Sequence, residues 1–585
     1  MNHRLVSVAG LLLSVVTVSA AAAESLPPAA RWIPSDAVLA VEVSQPKTLL
    51  GPLVDEKTIA AVTELPAYQK QTANPGFQQF RGIVALLELT LGTDWPTAVT
   101  KLTGGGVTLA VCPDDKVILI VDAEDEQLLA KLHDILLNFA RSEAKKQGQP
   151  DRVKSEEYEG VTAWSFNGEE AHAIIGRRLI FGNRKEALKA VLDLRSKPDA
   201  KSLASAPTYL KAKRAVGSDC AATVFVDLAT LKHVPGVAAA LNPEAANPLV
   251  ALLFAGIVEP LRTSNWLAMG LRLEQDTLVL QTVVDGKAGD PKGPAAFALP
   301  GTPADGALPN LQVPRRIAAM TLYRDLHRFY AAKDDLFPER TSGLIFFENM
   351  MGIFFSGRDL TDEVLAYTRP EVRLVVAGQK YDPAIGTPQM QLPAFALVLR
   401  LKDAEKHDAV FEEAWQKALG LINFTRGQQA EPGLIIDRPT HGETKFTSAG
   451  FSAAGIEDRK NLPQRFNFYP AIAMPSDYLV LSSTEQLTRD LIDALRRETA
   501  QPIKPLAQTH SALEIDATGL GAILQANRVS LVRNNMVEEG NTEAEAETSI
   551  DLLITVAKMA GHARLSIDTH QGHARATLKL KPRLP

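Results

Sequence analysis

The sequence predicts an α+β protein built of two tandem, structurally similar halves, each with an antiparallel sheet covered by helices. Three observations predict this class. Strand-like runs occur in adjacent pairs, long amphipathic helices follow those pairs, and the same order of elements occurs on both sides of a Pro/Gly-rich stretch near the middle of the chain. Strands joined by short turns are antiparallel, and helices that follow them cover one face of the sheet.

Each half opens with a short strand that leads into a helix. The first half has strand 37–43 and helix 45–53, and the second has strand 317–322 and helix 325–332. An apolar helix follows in both halves, around residues 87–92 and 347–352.

Two strands and a long helix come next in each half. They are 107–112, 117–122 and helix 125–145 on one side, and 372–377, 394–401 and helix 403–421 on the other. Apolar residues at helical spacing, such as Leu128, Leu132 and Phe139, predict that each long helix packs one stripe on the sheet.

A second strand-rich unit then occurs in both halves. Its strands and helix are 161–166, 171–175, 179–181 and 184–194, against 444–447, 471–474, 478–481 and 483–496. Asn183 with Glu186, and Ser482 with Glu485, have the spacing of a capping box at the start of each helix.

A hairpin is expected to close each half. Strands 267–273 and 277–284 surround a turn at 274–276, and strands 563–567 and 574–580 surround a turn at 569–572. Five elements in matching order favour an internal duplication. The expected organisation is a signal peptide at 1–23, a first α+β domain at 24–285, a Pro/Gly-rich linker at 286–315 and a second α+β domain at 316–585.

The first 23 residues have the pattern of a secretory signal peptide. Arg4 precedes an apolar run from residue 5 to residue 20, and Ala21-Ala22-Ala23 then offers small residues for cleavage. The run is short for a membrane span, although an uncleaved anchor is the alternative. The sequence therefore predicts export to the periplasm or the extracellular space, with no transmembrane segment after cleavage.

Composition excludes several classes of function. The chain has 585 residues, 46% of them hydrophobic and 22% charged, which is an ordinary globular composition of more than one domain. A formal charge of −6 gives no basic excess for binding nucleic acid. With only 2 Cys, a dense disulfide framework and a Cys-based zinc site are excluded.

No motif identifies a catalytic, cofactor-binding or metal-binding residue. Gly104-Gly105-Gly106 precedes a strand, whereas a phosphate loop opens a helix and carries a Lys. His562, His570 and His573 form the tightest histidine group, but the predicted hairpin places them at different ends of its strands. We therefore expect no cofactor and favour a protein that is not an enzyme.

The two cysteines form a candidate disulfide. Cys112 ends one predicted strand of the first half and Cys220 begins another, and an exported protein meets oxidising conditions. Two buried free thiols are the alternative, because Cys also packs as a small apolar residue.

One segment, 344–355, is dense in Phe and Met. We expect a core helix here; the alternative is an adaptable apolar groove or a partner contact.

The start of the mature chain, Trp32-Ile33-Pro34-Ser35-Asp36-Ala37-Val38, resembles the opening strand of an uncharacterised secreted bacterial family of planctomycete type. The resemblance implies a signal peptide, a Pro-x-Asp-Ala start to the first strand and repeated strand–strand–helix units. The second half lacks the Pro-x-Asp at Val313-Pro314-Arg315. The family has no known function, so it implies no site residue.

These observations favour an exported, non-enzymatic binding or scaffold protein whose partner is an unknown envelope protein or an apolar ligand. The alternatives are a hydrolase with an unrecognised site between the halves, and a carrier of an apolar ligand in a cleft lined by the Phe/Met helix. A carrier requires a large apolar cavity, whereas an enzyme requires a concave site with converging ionisable groups.

Overall fold

A computed structural model describes residues 26–63, 68–69, 72, 75–197, 199–234, 236, 248–286 and 294–583. The predicted signal peptide lies outside these residues. In the described residues the chain forms an α+β fold in which 21 strands make one antiparallel sheet.

Ten strands belong to the first half of the chain. They are β1 (Leu39–Val43), β2 (Gly106–Cys112), β3 (Lys116–Asp122), β4 (Lys154–Tyr158), β5 (Val161–Ser165), β6 (Ala171–Ile175), β7 (Arg178–Gly182), β8 (Ala222–Asp227), β9 (Trp266–Glu274) and β10 (Thr277–Val284).

Nine α-helices lie between these strands in the described residues. They are α1 (Pro46–Val54), α2 (Glu56–Thr63), α3 (Pro75–Leu91), α4 (Trp95–Thr103), α5 (Glu126–Lys146), α6 (Lys185–Ser196), α7 (Pro207–Val216), α8 (Leu228–Leu231) and α9 (Pro248–Thr263).

The second half supplies the other strands and helices. The strands are β11 (Arg316–Tyr323), β12 (Thr368–Ala377), β13 (Ala394–Leu401), β14 (Leu434–Asp437), β15 (Thr440–His441), β16 (Thr444–Phe451), β17 (Ala471–Ala473), β18 (Tyr478–Ser482), β19 (Thr509–Asp516), β20 (His562–His570) and β21 (His573–Lys581). The helices are α10 (Leu326–Ala331), α11 (Lys333–Leu336), α12 (Thr341–Phe354), α13 (Ala404–Gln428), α14 (Glu485–Ala500), α15 (Ala517–Ala526), α16 (Arg528–Glu539) and α17 (Glu543–Met559).

The strands of the two halves pair in the same order. In the first half the order across the sheet is β4-β5-β6-β7-β3-β2-β1-β8-β9-β10. In the second half β14 and β15 both pair with β16, and the order continues β16-β17-β18-β13-β12-β11-β19-β20-β21. Each half closes on a hairpin, as predicted, and all of these pairs are antiparallel.

The two halves meet where β10 pairs with β21. Seven residue pairs form this seam, from Leu278 opposite Leu580 to Val284 opposite Ala574. The seam makes one continuous sheet from two hairpins, so each half lies against the other through main-chain hydrogen bonds.

A buried arginine forms a second link between the halves. Arg324, at the end of β11, is fully buried and donates from Nη2 to the Leu253 carbonyl of α9 (3.0 Å) and from Nη1 to the His510 carbonyl of β19 (3.0 Å). Among the described residues no carboxylate pairs with this guanidinium. Burial therefore lowers the pKa of Arg324 to about 10, and it remains charged at neutral pH.

The main cores lie on one face of the sheet. Val191 of α6 and Val216 of α7 pack on this face in the first half, and Leu491 of α14 packs on it in the second. The long helices α5 and α13 cover the opposite face, where His133 of α5 meets His172 of β6.

The predicted capping boxes are corrected. The N-cap of α6 is Arg184, and the Asn183 side chain instead accepts a hydrogen bond from the Val117 N–H (2.8 Å). The N-cap of α14 is Thr484, whose side chain accepts from Leu487 N–H, two residues later than predicted. In both places the strand before the helix, β7 or β18, ends one residue later than predicted. The N-cap therefore lies later in the chain than the pattern indicated.

Part of the Pro/Gly-rich segment 286–315 packs into the protein. Phe297, Ala307 and Leu311 are buried. Ala307 exchanges main-chain hydrogen bonds with Leu506 and Thr509 beside β19. This part of the segment is fixed to the second half and does not act there as a free tether.

Candidate functional site

The second half contains an apolar cleft of about 690 Å³ between the sheet and α13. This volume lies within the roughly 300–1,000 Å³ that is typical of small-molecule sites. The lining consists almost wholly of aliphatic and aromatic residues: Leu374, Val375, Val376, Phe395, Ala396, Leu397, Trp415, Ile422, Leu434, Phe451, Phe468, Pro470, Leu481, Ser482 and Ser483.

Strand alternation creates the floor of the cleft. Successive side chains of a strand point to opposite faces of the sheet. Val375 of β12 therefore joins the core beneath α14, while its neighbours Leu374 and Val376 face α13. The same strand thus fills a core with one set of residues and lines the cleft with the other.

Helix α13 forms an incomplete roof. It begins at the N-cap Asp403, whose side chain accepts a hydrogen bond from the Lys406 N–H (3.4 Å). Its apolar stripe buries Phe411 against the sheet and then places Trp415 and Ile422 over the cleft. Phe395 belongs to β13, which has a strand on either side, yet its side chain is 54% exposed. The helix therefore leaves the cleft open to solvent.

Few polar groups reach the cleft. Ser483 Oγ accepts a hydrogen bond from the Phe395 N–H (2.8 Å). The indole Nε1 of Trp415 is buried and has no hydrogen-bond partner among the described residues. A buried N–H without an acceptor is costly, and a ligand that carries an acceptor can satisfy it.

Two arginines outside the cleft lining stack on Phe451, which lines one end of the cleft. The Arg426 guanidinium is 4.8 Å from the centre of the Phe451 ring, and the Arg465 guanidinium is 5.7 Å from it. Arginine stacked on an aromatic face is held in place while its donors stay available.

The corresponding space in the first half is filled by rings. His133 and His172 lie with their Nε2 atoms 3.1 Å apart, and the Trp164 ring contacts His133 at 6.0 Å between centroids. Burial lowers the pKa of both histidines, that of His172 to about 4. Helix α5 thus covers a packed aromatic cluster where α13 covers a cleft.

The candidate disulfide residues are two buried free thiols in the structure. Cys112 follows Val111, which pairs with Leu39 at one end of β1, and Cys220 precedes Ala222, which pairs with Val43 at the other end. At about 3.3 Å per residue the two cysteines are roughly 20 Å apart. A disulfide requires Cα atoms within about 7 Å, so this fold holds no bridge between them.

The histidine group at the last hairpin does not converge. His570 pairs with His573 beside the turn, while His562 pairs with Lys581 at the far end. Among the described residues, no group of three or more His, Cys, Asp or Glu side chains could hold a metal ion.

The junction between the halves carries charged groups that pair with one another. Lys579 of β21 lies 3.0 Å from Glu274 of β9, and Arg316 lies 2.8 Å from Glu514. A groove of about 340 Å³ runs beside these residues. Since Glu514 pairs with Arg316 and Asp516 caps α15 by accepting from the Thr518 N–H (3.0 Å), we assign no catalytic pair to it.

The Phe/Met segment forms α12, and none of its residues is buried. Phe346 is 71% exposed and Ile353 is 70% exposed. The prediction of a core helix is therefore wrong, and the segment forms an apolar surface. No residue of α12 lines the cleft, so the expectation that this helix would line a ligand site is corrected too.

Sequence reasoning did not find the cleft. Phe395, Trp415 and Phe451 are far apart in the chain, and each has the apolar character of an ordinary core residue. The one available signal was the aromatic cluster Phe466, Phe468 and Tyr469 beside Arg465, which lies in a segment with no strand or helix pattern.

No helix of the described residues combines the length and the hydropathy that a membrane span requires.

Comparison with known proteins yields one family and weak structural likenesses. Residues 4–310, just over half of the chain, match the model of the family described as "Protein of unknown function (DUF3352)". The cleft residues, 374–483, lie outside the match. No curated protein matches the chain.

Among solved structures the chain is similar to TP0453. Crystal form III of that protein shows 12% identity and a TM-score of 0.24, over 47% of this chain and 85% of that one. Form I shows 9% identity and a TM-score of 0.21, over 46% and 81%. TM-scores this low do not establish a common fold.

Proposed function

The chain belongs to the DUF3352 family of proteins of unknown function, and we propose that it is an exported, non-enzymatic binding protein that carries an apolar ligand in the cleft beneath α13. The observation that carries this proposal is the cleft itself. It encloses about 690 Å³, its lining is nearly continuous apolar surface, and Phe395 in that lining is 54% exposed.

Burial of this surface would stabilise a bound apolar molecule. Each Å² of apolar surface removed from water contributes about 25 cal/mol. An open cleft lined by Phe395, Trp415 and Phe451 leaves such surface in contact with water, and a bound apolar molecule would remove it from water. A pure scaffold has no need of such a cleft, so the carrier alternative is favoured over it.

Export is part of the proposal and rests on the sequence. The apolar run 5–20 after Arg4 and the alanines at 21–23 support cleavage after Ala23. Sequencing of the mature N-terminus from the source envelope should give Glu24. A mature chain that still begins at Met1 would contradict this part.

Duplication of one ancestral domain is proposed for residues 24–285 and 316–585. The common order of strand pairing in the two halves supports it. The first half would then descend from the same domain as the second but carry the His133–His172 cluster where the second has a cleft.

Uptake of a neutral fluorescent probe tests the carrier function. N-phenyl-1-naphthylamine should bind the purified protein with enhanced emission. Leu374→Trp should reduce that binding at least about tenfold, because the larger ring occupies the floor of the cleft. The matched control is Leu520→Trp on α15, where the side chain is exposed and lies outside the cleft.

Two outcomes would contradict the proposal. The first is that the wild-type protein fails to bind the probe. The second is that Leu374→Trp binds the probe as tightly as the wild type and the control Leu520→Trp do. Circular dichroism of both variants checks that the fold is retained.

A further inference from the structure

We infer that the cleft takes a single-chain amphiphile whose anionic head, a carboxylate or a phosphate, binds at Arg465 and Arg426 while its hydrocarbon chain lies along the apolar lining. This inference rests on the proposed function and adds the chemistry and orientation of the ligand. It is argued from the shape of the lining, from the charge at one end and from an unpartnered donor.

The lining is elongated across the strands. It begins at Leu374 and Val376 of β12, crosses β13 and β18, and reaches Phe451 of β16. β17 lies between β18 and β16, so this elongated lining spans four strand spacings from β12 to β16. We call this lining the track. At about 4.8 Å per spacing this is roughly 19 Å, a shape that suits one extended hydrocarbon chain better than a compact ring system.

The two ends of the track differ in charge. The β12 end is formed by aliphatic side chains such as Leu374 and Val376. At the β16 end two guanidinium groups, from Arg426 and Arg465, stack on the lining residue Phe451 without themselves belonging to the lining. A ligand that is apolar along its length and negative at one end complements this arrangement.

Arg426 is held by partners of its own. Its Nε donates to the Pro432 carbonyl (2.6 Å), and its Nη2 forms an ion pair at 2.9 Å with Glu431 Oε2 that lacks hydrogen-bond geometry. These contacts fix its position on Phe451 and compensate its charge with one carboxylate. Arg426 therefore contributes a fixed guanidinium, whereas the pair of arginines keeps an excess of positive charge.

Arg465 supplies the free donor. Its guanidinium stacks on Phe451 and, at 5.3 Å, on Phe466. Its Nε is buried and has no hydrogen-bond partner among the described residues. A ligand without an acceptor would leave this donor unsatisfied. An oxyanion would accept a charge-assisted hydrogen bond from it, which is stronger than the neutral hydrogen bond that an ester carbonyl could accept.

Binding of acids and of an ester tests the inference on the full mature chain. Palmitate, 1-palmitoyl lysophosphatidate and methyl palmitate are titrated below their critical micelle concentrations against bound N-phenyl-1-naphthylamine. We expect at least one acid to bind about tenfold tighter than the methyl ester, because a charge-assisted hydrogen bond is stronger than one to a neutral acceptor. The tighter acid shows whether carboxylate or phosphate is the preferred head.

Arg465→Gln locates the head group. It should weaken the preferred acid about tenfold and leave methyl palmitate unchanged, while Arg465→Lys should restore part of the preference. Arg438→Gln is the matched control, because Arg438 is an exposed guanidinium that pairs with Glu412 at 3.4 Å and does not contact Phe451. It should change neither ligand.

The outcomes separate the two proposals. Equal binding of both acids and the ester by the wild type, or equal weakening of acid and ester by Arg465→Gln, would overturn the inference and leave the carrier function standing. Failure of all three ligands and of the probe to bind would overturn the carrier function itself. The ratio of acid to ester affinity in the wild type decides the inference even if Arg465→Gln does not fold.

Discussion

Gln281 of β10 lies directly opposite Thr577 of β21, and this pair is the midpoint of the seam between the two halves. Each of the two residues lies six positions beyond a glutamine in the left-handed backbone conformation, Gln275 (φ 57°) or Gln571 (φ 50°), in the two-residue turn of its own hairpin. The seam therefore has the same register whether it is read from the first half or from the second.

The seam should contribute strongly to stability. β21 pairs with β10 on one side and with β20 on the other, so Thr577→Pro removes a main-chain donor inside the sheet. We expect a loss of about 3 kcal/mol or more in the free energy of unfolding, measured by urea denaturation. Glu156→Pro, in β4, which pairs only with β5 among the described strands, is the control. Equal losses in the two variants would argue against a special role for the seam.

Arg324 should hold α9 to the second half. Arg324→Met removes the donors to the Leu253 and His510 carbonyls and leaves them buried. We expect a loss of about 3 kcal/mol in the free energy of unfolding and faster amide hydrogen exchange in α9. Arg328→Met, whose side chain is largely exposed, is the control and should change neither quantity. Unchanged exchange in α9 would show that other contacts hold this helix.

The His133–His172 pair should make stability depend on pH. The folded pKa of His172 is about 4, against 6.5 for an unperturbed His, so the unfolded chain takes up the proton first as the pH falls. The contribution of His172 is complete above pH 6.5 and is lost between pH 6.5 and 4, by about 3 kcal/mol. Thermal unfolding of His172→Gln should show a flatter pH profile in this window.

The control for that profile is His570→Gln at the tip of the last hairpin, where the side chain is exposed. It should follow the wild-type curve. If His172→Gln does so as well, the acid sensitivity of the protein comes from other groups.

Both cysteines should be free thiols that Ellman's reagent can count. Burial raises the pKa of Cys112 to about 11 and also raises the pKa of Cys220. In the native protein the reaction with Ellman's reagent should therefore be slow, because the thiolate is the reactive form. In denaturant without reductant, two thiols per chain should react. A value near zero would show a bridge and would contradict the separation across β1.

Much of the fold could be predicted from the sequence, because the alternation of apolar residues in a strand and the turn residues beside it set the bounds of many strands. β10 and β13 have the predicted bounds 277–284 and 394–401, and both alternate apolar side chains between two covered faces. β19 was missed and β8 was predicted only by its start near Cys220, because both strands pair with strands distant in the chain and lack a hairpin turn of their own. The caps at α6 and α14 were misplaced, since several residues near each helix start can accept the same N–H.

The candidate site could not be predicted, because it exists only where part of α13 does not pack closely on the sheet. Trp415 and Ile422 continue the apolar stripe of α13, and the pattern predicts that they are covered like Phe411. Whether a helix closes on the sheet is set by side chains from β14, β16 and the segment around Phe468. Sequence periodicity carries no information on the distance between such segments.

The register of the β10–β21 seam, which is the same read from either half, has a consequence for assembly. A surface strand that fits a copy of itself about a twofold axis forms an isologous contact, as in a homodimer. Here both partners are covalently joined in one polypeptide, so the contact forms at any dilution, whereas a pair of separate subunits would fall apart below its dissociation constant.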